Sequence, residues 1–168
     1  MKNGPKAYLI TGGTGAGKTT YARRLADEVG GVRFSIDDWM THLFWMDSPD
    51  EMTYDWAMER ITRAERQIWE TALQIIERGC PVIFDLGFTK ADHREKFAKL
   101  LRGATIPFAL HWVDVPSEQR WARVETRNAE KGETFAMVVT RDMFDFMESI
   151  WQAPLDSEMK TLNGIRAE

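Results

Sequence analysis

Gly12-Gly13-Thr14-Gly15-Ala16-Gly17-Lys18-Thr19-Thr20 brings together a pliable backbone, one cation and a run of hydroxyls. From Gly12 to Thr19 the run fits G-x-x-x-x-G-K-[ST] without a mismatch. A loop of this composition can point successive backbone N–H groups at a polyphosphate, because glycine tolerates the backbone angles and permits the close approach. A helix beginning at its end turns its positive terminus toward the same anion. Lys18 is then placed to reach the β- and γ-phosphates, and the Thr19 hydroxyl to bind Mg2+. Gly12, Gly13, Thr14, Gly15, Ala16, Gly17, Lys18, Thr19 and Thr20 are therefore the candidate nucleotide-binding residues, with ATP and Mg2+ as the implied ligands. The rival dinucleotide pattern G-x-G-x-x-G fails, since after Gly13 and Gly15 its third glycine falls on Lys18.

Two carboxylate sites accompany the loop. Val82-Ile83-Phe84-Asp85 ends an apolar run in an acid, which can hold the hydration shell of a metal ion or simply cap the following turn. With a phosphate loop in the same chain, the metal role at Asp85 is favoured. Asp37 and Asp38 follow a second apolar run. Transfer of a phosphoryl group to a hydroxyl needs a base or an orienting carboxylate, and aspartate is also a good residue for a helix start. Asp37, nearer the strand end, is the candidate catalytic carboxylate, and Asp38 the candidate cap.

A third group is basic. Arg120, Arg123, Arg127 and Lys131 recur at steps of three and four and make one stripe of a helix. Glu130 can offset Arg127, but the stripe lacks acids enough of its own. A nucleotide phosphate would supply the partner, for which arginine is well suited. The stripe is read as part of a lid over about 117–133, with Arg127 and Lys131 as catalytic candidates and Arg123 and Arg127 touching nucleotide; the alternative is a solvated face.

Alternating elements must position these groups. Ala7 to Thr11, Val32 to Ile36, Pro81 to Asp85 and Ile106 to Val115 read as strands, and Lys160 to Leu162 as an edge strand. Helices are expected over Lys18–Val29, Trp39–Met46, Asp55–Arg78, Lys90–Leu101 with Thr89 as its cap, Ser117–Glu130 and Phe135–Trp151. Strand–helix alternation implies crossover connections and a parallel sheet, with ligands beyond the carboxyl ends of the strands. The loop, the Asp37–Asp38 pair and Asp85 all fall at such ends.

The matching stretches GGTGAGKTT, FSIDDWM, PVIFDLGF and WVDVPSEQRWARVETRNAEKG occur in the order found in one family. The chain resembles the P-loop kinase group that includes polynucleotide 5′-hydroxyl kinases, chloramphenicol phosphotransferases and zeta-toxin-type kinases, a group also described as AAA-family ATP-binding proteins. The resemblance implies an α/β P-loop NTPase sandwich with strand order 2-3-1-4-5 and a helical lid. It also carries the catalytic aspartate onto Asp37. Two departures bear on the acceptor. Polynucleotide kinases have R-N-x-x-R at the lid tip, where this chain ends in Lys131, and D-D-x-R after the second strand, where it has Met40. Both point away from nucleic acid. Trp39, Phe44, Trp45 and Phe88 either line an apolar acceptor pocket or pack in the core.

Composition sets the outer bounds. The chain has 168 residues, 43% of them hydrophobic and 29% charged, as expected for one globular domain. A net charge of −4 gives no overall basic field for nucleic acid. Cys80 is the only cysteine, which suits a reducing, cytoplasmic setting, and no apolar run is long enough for a membrane span. His42, His93 and His111 have no metal-like spacing. The expected activity is ATP- and Mg2+-dependent transfer of phosphate to a small-molecule hydroxyl. The alternatives are a polynucleotide 5′-hydroxyl kinase and a nucleotide-dependent switch, though N-K-x-D, the usual mark of a guanine-binding switch, is absent. The acceptor and the oligomeric state are not written in the sequence.

Overall fold

The computed structural model describes residues 4, 6–51, 53–131 and 138–167. Five parallel strands form its sheet in the order β2-β3-β1-β4-β5. This is the P-loop NTPase arrangement that the resemblance implies. The elements run β1 (Ala7–Thr11), α1 (Lys18–Val29), β2 (Val32–Ser35), α2 (Ile36–Leu43), a 3-10 turn (Trp45–Asp47), α3 (Tyr54–Glu77), β3 (Val82–Asp85), α4 (Ala91–Gly103), β4 (Phe108–Val113), α5 (Ser117–Glu130), α6 (Arg141–Ile150), α7 (Asp156–Thr161) and β5 (Ile165–Ala167).

Both faces of the sheet are covered, so the central strands are buried throughout and mostly apolar rather than alternating. Ala7 and Leu9 of β1 face a core shared with Ala64, Ile68 and Ala72 of α3 and Phe97 and Leu101 of α4. Tyr8 and Ile10 point the other way, onto Ala22 and Leu25 of α1. His111 of β4 lies on that second face, where its Nδ1 is 2.6 Å from the Tyr21 hydroxyl. Burial lowers its pKa to about 4. Since the unfolded ring titrates near 6.5, acid protonates the unfolded chain first. His111 therefore costs stability as pH falls from 6.5 toward 4.

Several boundaries differ from expectation. Asp37 and Asp38 lie inside the first turn of α2, not ahead of it, because the Ser35 hydroxyl caps that helix by accepting from the Asp38 N–H. Asp38 is thus not the cap. Thr89 does not cap α4 either, whose start at Lys90 has no side-chain cap. Residues 160–162 end α7 instead of forming a strand, and the edge strand lies later, at β5. The helix expected from Phe135 begins at Arg141, where Thr140 caps it; residues 132–137 lie outside the described residues, and with them the end of the expected lid.

Candidate active site

The turn after β1 wraps into α1 through backbone angles that few residues tolerate. Gly15 and Gly17 have φ of 78° and 92°. A Cβ on Gly15 would come within 2.5 Å of the Arg120 carbonyl oxygen. Gly17 precedes Lys18 at the start of α1, so the free N–H groups of the first helical turn open onto the loop. Lys18 folds back and donates from Nζ to the carbonyl oxygens of Gly12, at 2.9 Å, and Gly13, at 3.0 Å. Burial pulls the Lys18 pKa below its usual value, against the opposing charges of Asp85 and Asp37.

One open cavity of about 790 Å3 joins the whole loop, Gly12 through Thr20, to Asp37, Asp85, Arg123 and Arg127. The sheet register explains the meeting: β3 runs beside β1, and β2 beside β3 with Ser35 paired to Asp85, so both strands end at the level where the loop begins. A second tie comes from Thr11, whose hydroxyl donates to the Phe88 carbonyl oxygen at 2.9 Å. Phe88 follows the left-handed Gly87 and is itself left-handed, at φ 47°, a conformation a buried aromatic residue holds only under constraint from its surroundings. Arg94 supplies some of that constraint by donating to the same carbonyl at 3.0 Å.

The two neighbouring aspartates have separate fates. Asp37 lines the cavity, and its carboxylate makes no hydrogen bond among the described residues. Asp37 is solvent-exposed where it lines the open recess. Burial there raises its carboxyl pKa above the ordinary value, the Asp85 charge adds to the rise, and Lys18 opposes it. Asp38 instead accepts from Arg33 at 3.0 Å. The same guanidinium donates from Nε and NH2 to Asp85 Oδ2, at 3.0 and 2.7 Å. Sequence reasoning missed Arg33. A lone arginine on a strand gives no local signal, and only the β2–β3 pairing puts it beside Asp85.

Thr19 and Asp85 offer a hydroxyl and a carboxylate to the same cavity. Both Arg33 contacts to Asp85 fall on Oδ2. Among the described residues no three His, Cys, Asp or Glu side chains form a metal cage. That donor set fits Mg2+, which keeps most of its waters and takes few protein oxygens alongside substrate phosphates.

The expected basic stripe divides. Arg120 is buried and lacks neither acid nor acceptor: it donates to Glu148 Oε1 and Oε2 at 2.6 and 2.7 Å, to the Val115 carbonyl at 2.8 Å and to the Thr14 carbonyl at 3.1 Å. The hydrogen bonds from Arg120 hold the Glu148 carboxyl below its usual pKa. Arg123 donates to the Ala16 carbonyl at 3.1 Å. Arg127 lines the cavity with its Nε buried and without a hydrogen-bond partner among the described residues. Lys131 ends the helix in the left-handed conformation and is not part of the cavity lining. In the last turn of α5, Asn128 clasps Val139, with its amide nitrogen donating to the Val139 carbonyl and its oxygen accepting from the Val139 N–H. Of the four aromatic residues left open between pocket and core, only Trp45 lines the cavity, while Trp39, Phe44 and Phe88 belong to the core.

A family model described as an AAA domain matches residues 8–150. No curated protein shows significant similarity to the chain. Among solved structures, Kti12 of Chaetomium thermophilum in complex with ADP-AlF3 superposes with a TM-score of 0.71 at 14% identity, over 96% of this chain and 88% of that one. A gluconokinase from Sinorhizobium meliloti 1021 gives 0.64 at 13% identity, over 98% and 83%. A sugar kinase from Janibacter sp. HTCC2649 gives 0.62 at 19% identity, over 97% and 84%. With its phosphate loop, its sheet order and a match over most of its length, the chain belongs to this AAA domain family, and its fold is that of the P-loop kinases.

Proposed function

We propose that this protein is an ATP- and Mg2+-dependent phosphotransferase acting on a hydroxyl of a small molecule. The observation that carries the reading is the shared cavity, where the Asp37 carboxylate, with no hydrogen bond among the described residues, faces the phosphate loop and the unpartnered Nε of Arg127. The kinases among the similar folds lend further support. A pure nucleotide binder has no use for a second carboxylate held beside the phosphate end.

In this reading the chain's groups divide the work. The loop amides and Lys18 hold the polyphosphate, with Lys18 leaving its resting contacts on Gly12 and Gly13 to reach it. Arg127 and Arg123 neutralise the phosphoryl oxygens from the α5 side. Thr19 and Asp85 would hold Mg2+, which would supply charge neutralisation at the β- and γ-phosphates. Asp37 orients the acceptor hydroxyl and takes its proton. The acceptor oxygen bonds to the γ-phosphorus as the bond from that phosphorus to the β,γ-bridging oxygen breaks, and ADP departs with the electron pair. Arg33 holds Asp85 and Asp38 and so keeps the turn bearing Asp37 in place. A reducing cytoplasmic setting fits the single cysteine, and a nucleic-acid acceptor is disfavoured by Met40 and Lys131.

Asp37→Asn tests the assignment. It should leave affinity for an ATP analogue unchanged and slow single-turnover phosphate transfer by about 100-fold or more. Full activity in that variant would remove Asp37 from the mechanism. ADP release that no acceptor stimulates would favour a nucleotide-dependent switch.

A further inference from the structure

The phosphoryl end occupies only part of the cavity. Its remaining walls include residues of α2 and α6. On α2, Asp37, Met40 and Thr41 lie at steps of three and four, on one face, and Trp45 follows in the 3-10 turn. On α6, Met143 and Met147 lie four residues apart, and Trp151 continues the stripe at the helix end. The helix uses a different face for its core contact, where Phe144 is buried with its ring 5.3 Å from that of Trp121. Met143, Met147 and Trp151 thus line the cavity on a side of the helix apart from Phe144, with the Trp151 ring also 5.9 Å from the Arg94 guanidinium. The carboxyl end of α6 is fixed there: the Gln152 N–H donates to the Thr89 carbonyl at 3.0 Å, and Arg94 donates to the Gln152 carbonyl at 2.8 Å.

Charge is distributed as unevenly as polarity. The cations that line the cavity, Lys18, Arg24, Arg123 and Arg127, all belong to α1 and α5. None comes from α2, α6 or the loop after β3, and residues 132–137 include no lysine or arginine. The α2 and α6 walls themselves offer a seated group methionine, tryptophan, threonine and the Asp37 carboxylate, and contribute no lining cation of their own. An anionic acceptor placed there would be desolvated without a partner, at a cost of kilocalories. Methionine and tryptophan instead favour flat apolar bodies, the first through soft sulfur contacts and the second through ring stacking.

We infer that the α2–α6 wall is the acceptor subsite, and that it takes an uncharged alcohol with an aromatic or similarly apolar body, its hydroxyl directed to Asp37. This deepens the phosphotransferase reading and rests on it for the fate of the hydroxyl, but not for binding. Anionic polyols and polynucleotides are excluded from the subsite by the same chemistry.

The test uses the whole chain saturated with AMPPNP and Mg2+, titrated with 2-naphthalenemethanol, D-gluconate or a 5′-hydroxyl oligonucleotide by calorimetry. The naphthalene alcohol should bind at least about 10-fold more tightly than either anion. Met147→Glu should weaken its binding by about 10-fold or more, while Met147→Leu stays within about 2-fold. AMPPNP affinity serves as the check on folding for both variants. Equal or tighter binding of gluconate or the oligonucleotide overturns the proposal, as does Met147→Glu with unchanged affinity for the naphthalene alcohol. Replacing AMPPNP by ATP separates the two levels. Binding of the naphthalene alcohol with no phosphate transferred to any of the three upholds the subsite and counts against the phosphotransferase reading. Transfer to gluconate in preference does the reverse.

Discussion

In the N-terminal half of α5, Arg120 is 5% exposed and its guanidinium is spent on Glu148, Val115 and Thr14. Two turns later, Arg127 buries its Nε beside the cavity with no hydrogen-bond partner among the described residues. The side chains are chemically identical and share one face of one helix. A buried guanidinium that is fully bonded joins elements together, here the phosphate loop, α5 and α6. The second, whose Nε has no partner among the described residues, leaves a donor beside the cavity, which the proposed function gives to phosphate. Spacing along a helix cannot tell the two apart, whereas the acid 28 residues away can.

The contrast can be broken by measurement. Arg120→Ala leaves Glu148 with only the Ser117 hydroxyl as a donor and removes the Arg120 bonds to two carbonyls, and should lower unfolding free energy by about 3 kcal/mol, read from urea melts. A loss below about 1 kcal/mol would make Arg120 as expendable as a surface residue. Arg127→Ala should do the opposite. Stability is expected to stay within about 0.5 kcal/mol of the parent, while single-turnover phosphate transfer drops about 100-fold, the scale of a lost charge-stabilising donor. Were it instead to unfold the protein, the division of α5 would collapse. Asn128→Ala sharpens the picture at the end of the helix. Loss of the clasp should cost about 1 kcal/mol locally and speed hydrogen exchange at the Val139 amide, leaving exchange in the first turns of α5 as it was.

The smallest effect concerns the same contrast on α2, where Asp38 is engaged by Arg33 and Asp37 faces the cavity. The Asp38 charge helps to raise the Asp37 pKa. Asp38→Asn should therefore ease ionisation of Asp37 and move the acid limb of the rate profile to lower pH, with the plateau unchanged. A limb that stays put, or moves to higher pH, would detach the profile from Asp37.

How much of this could be read in advance depended on how local the signal was. Gly12–Thr19 was fully legible because its geometry is set by residues adjacent in sequence. The long apolar periodicity of α3 was legible for the same reason. The 2-3-1-4-5 order came from the resemblance, since nothing in a strand's composition names its neighbour. α7 has six residues, too few to show a helical period, so no helix was expected there and the edge strand was placed too early. β5 is half-exposed, pairs on one side only and lacks the apolar run that marks a central strand. Arg33 and Glu148 were invisible, because each partner lies across the fold. The α6 stripe did have a signal, Met143, Met147 and Trp151 at steps of four, yet a helical apolar stripe ordinarily means core. Only the burial of Phe144 on another face shows which stripe meets the cavity.

The sulfur on that wall has a chemical consequence of its own. Met143 is 39% exposed and Met147 is partly so, and both open onto the cavity. An oxidant would reach them there and add one oxygen to each thioether, turning a soft apolar lining into a polar, chiral one. The loop from Gly12 to Thr20, with no sulfur, would be untouched. Oxidative damage would thus fall on one half of a shared chamber. It would be reversible where sulfoxide reductases are at hand, and the grip on nucleotide would outlast it.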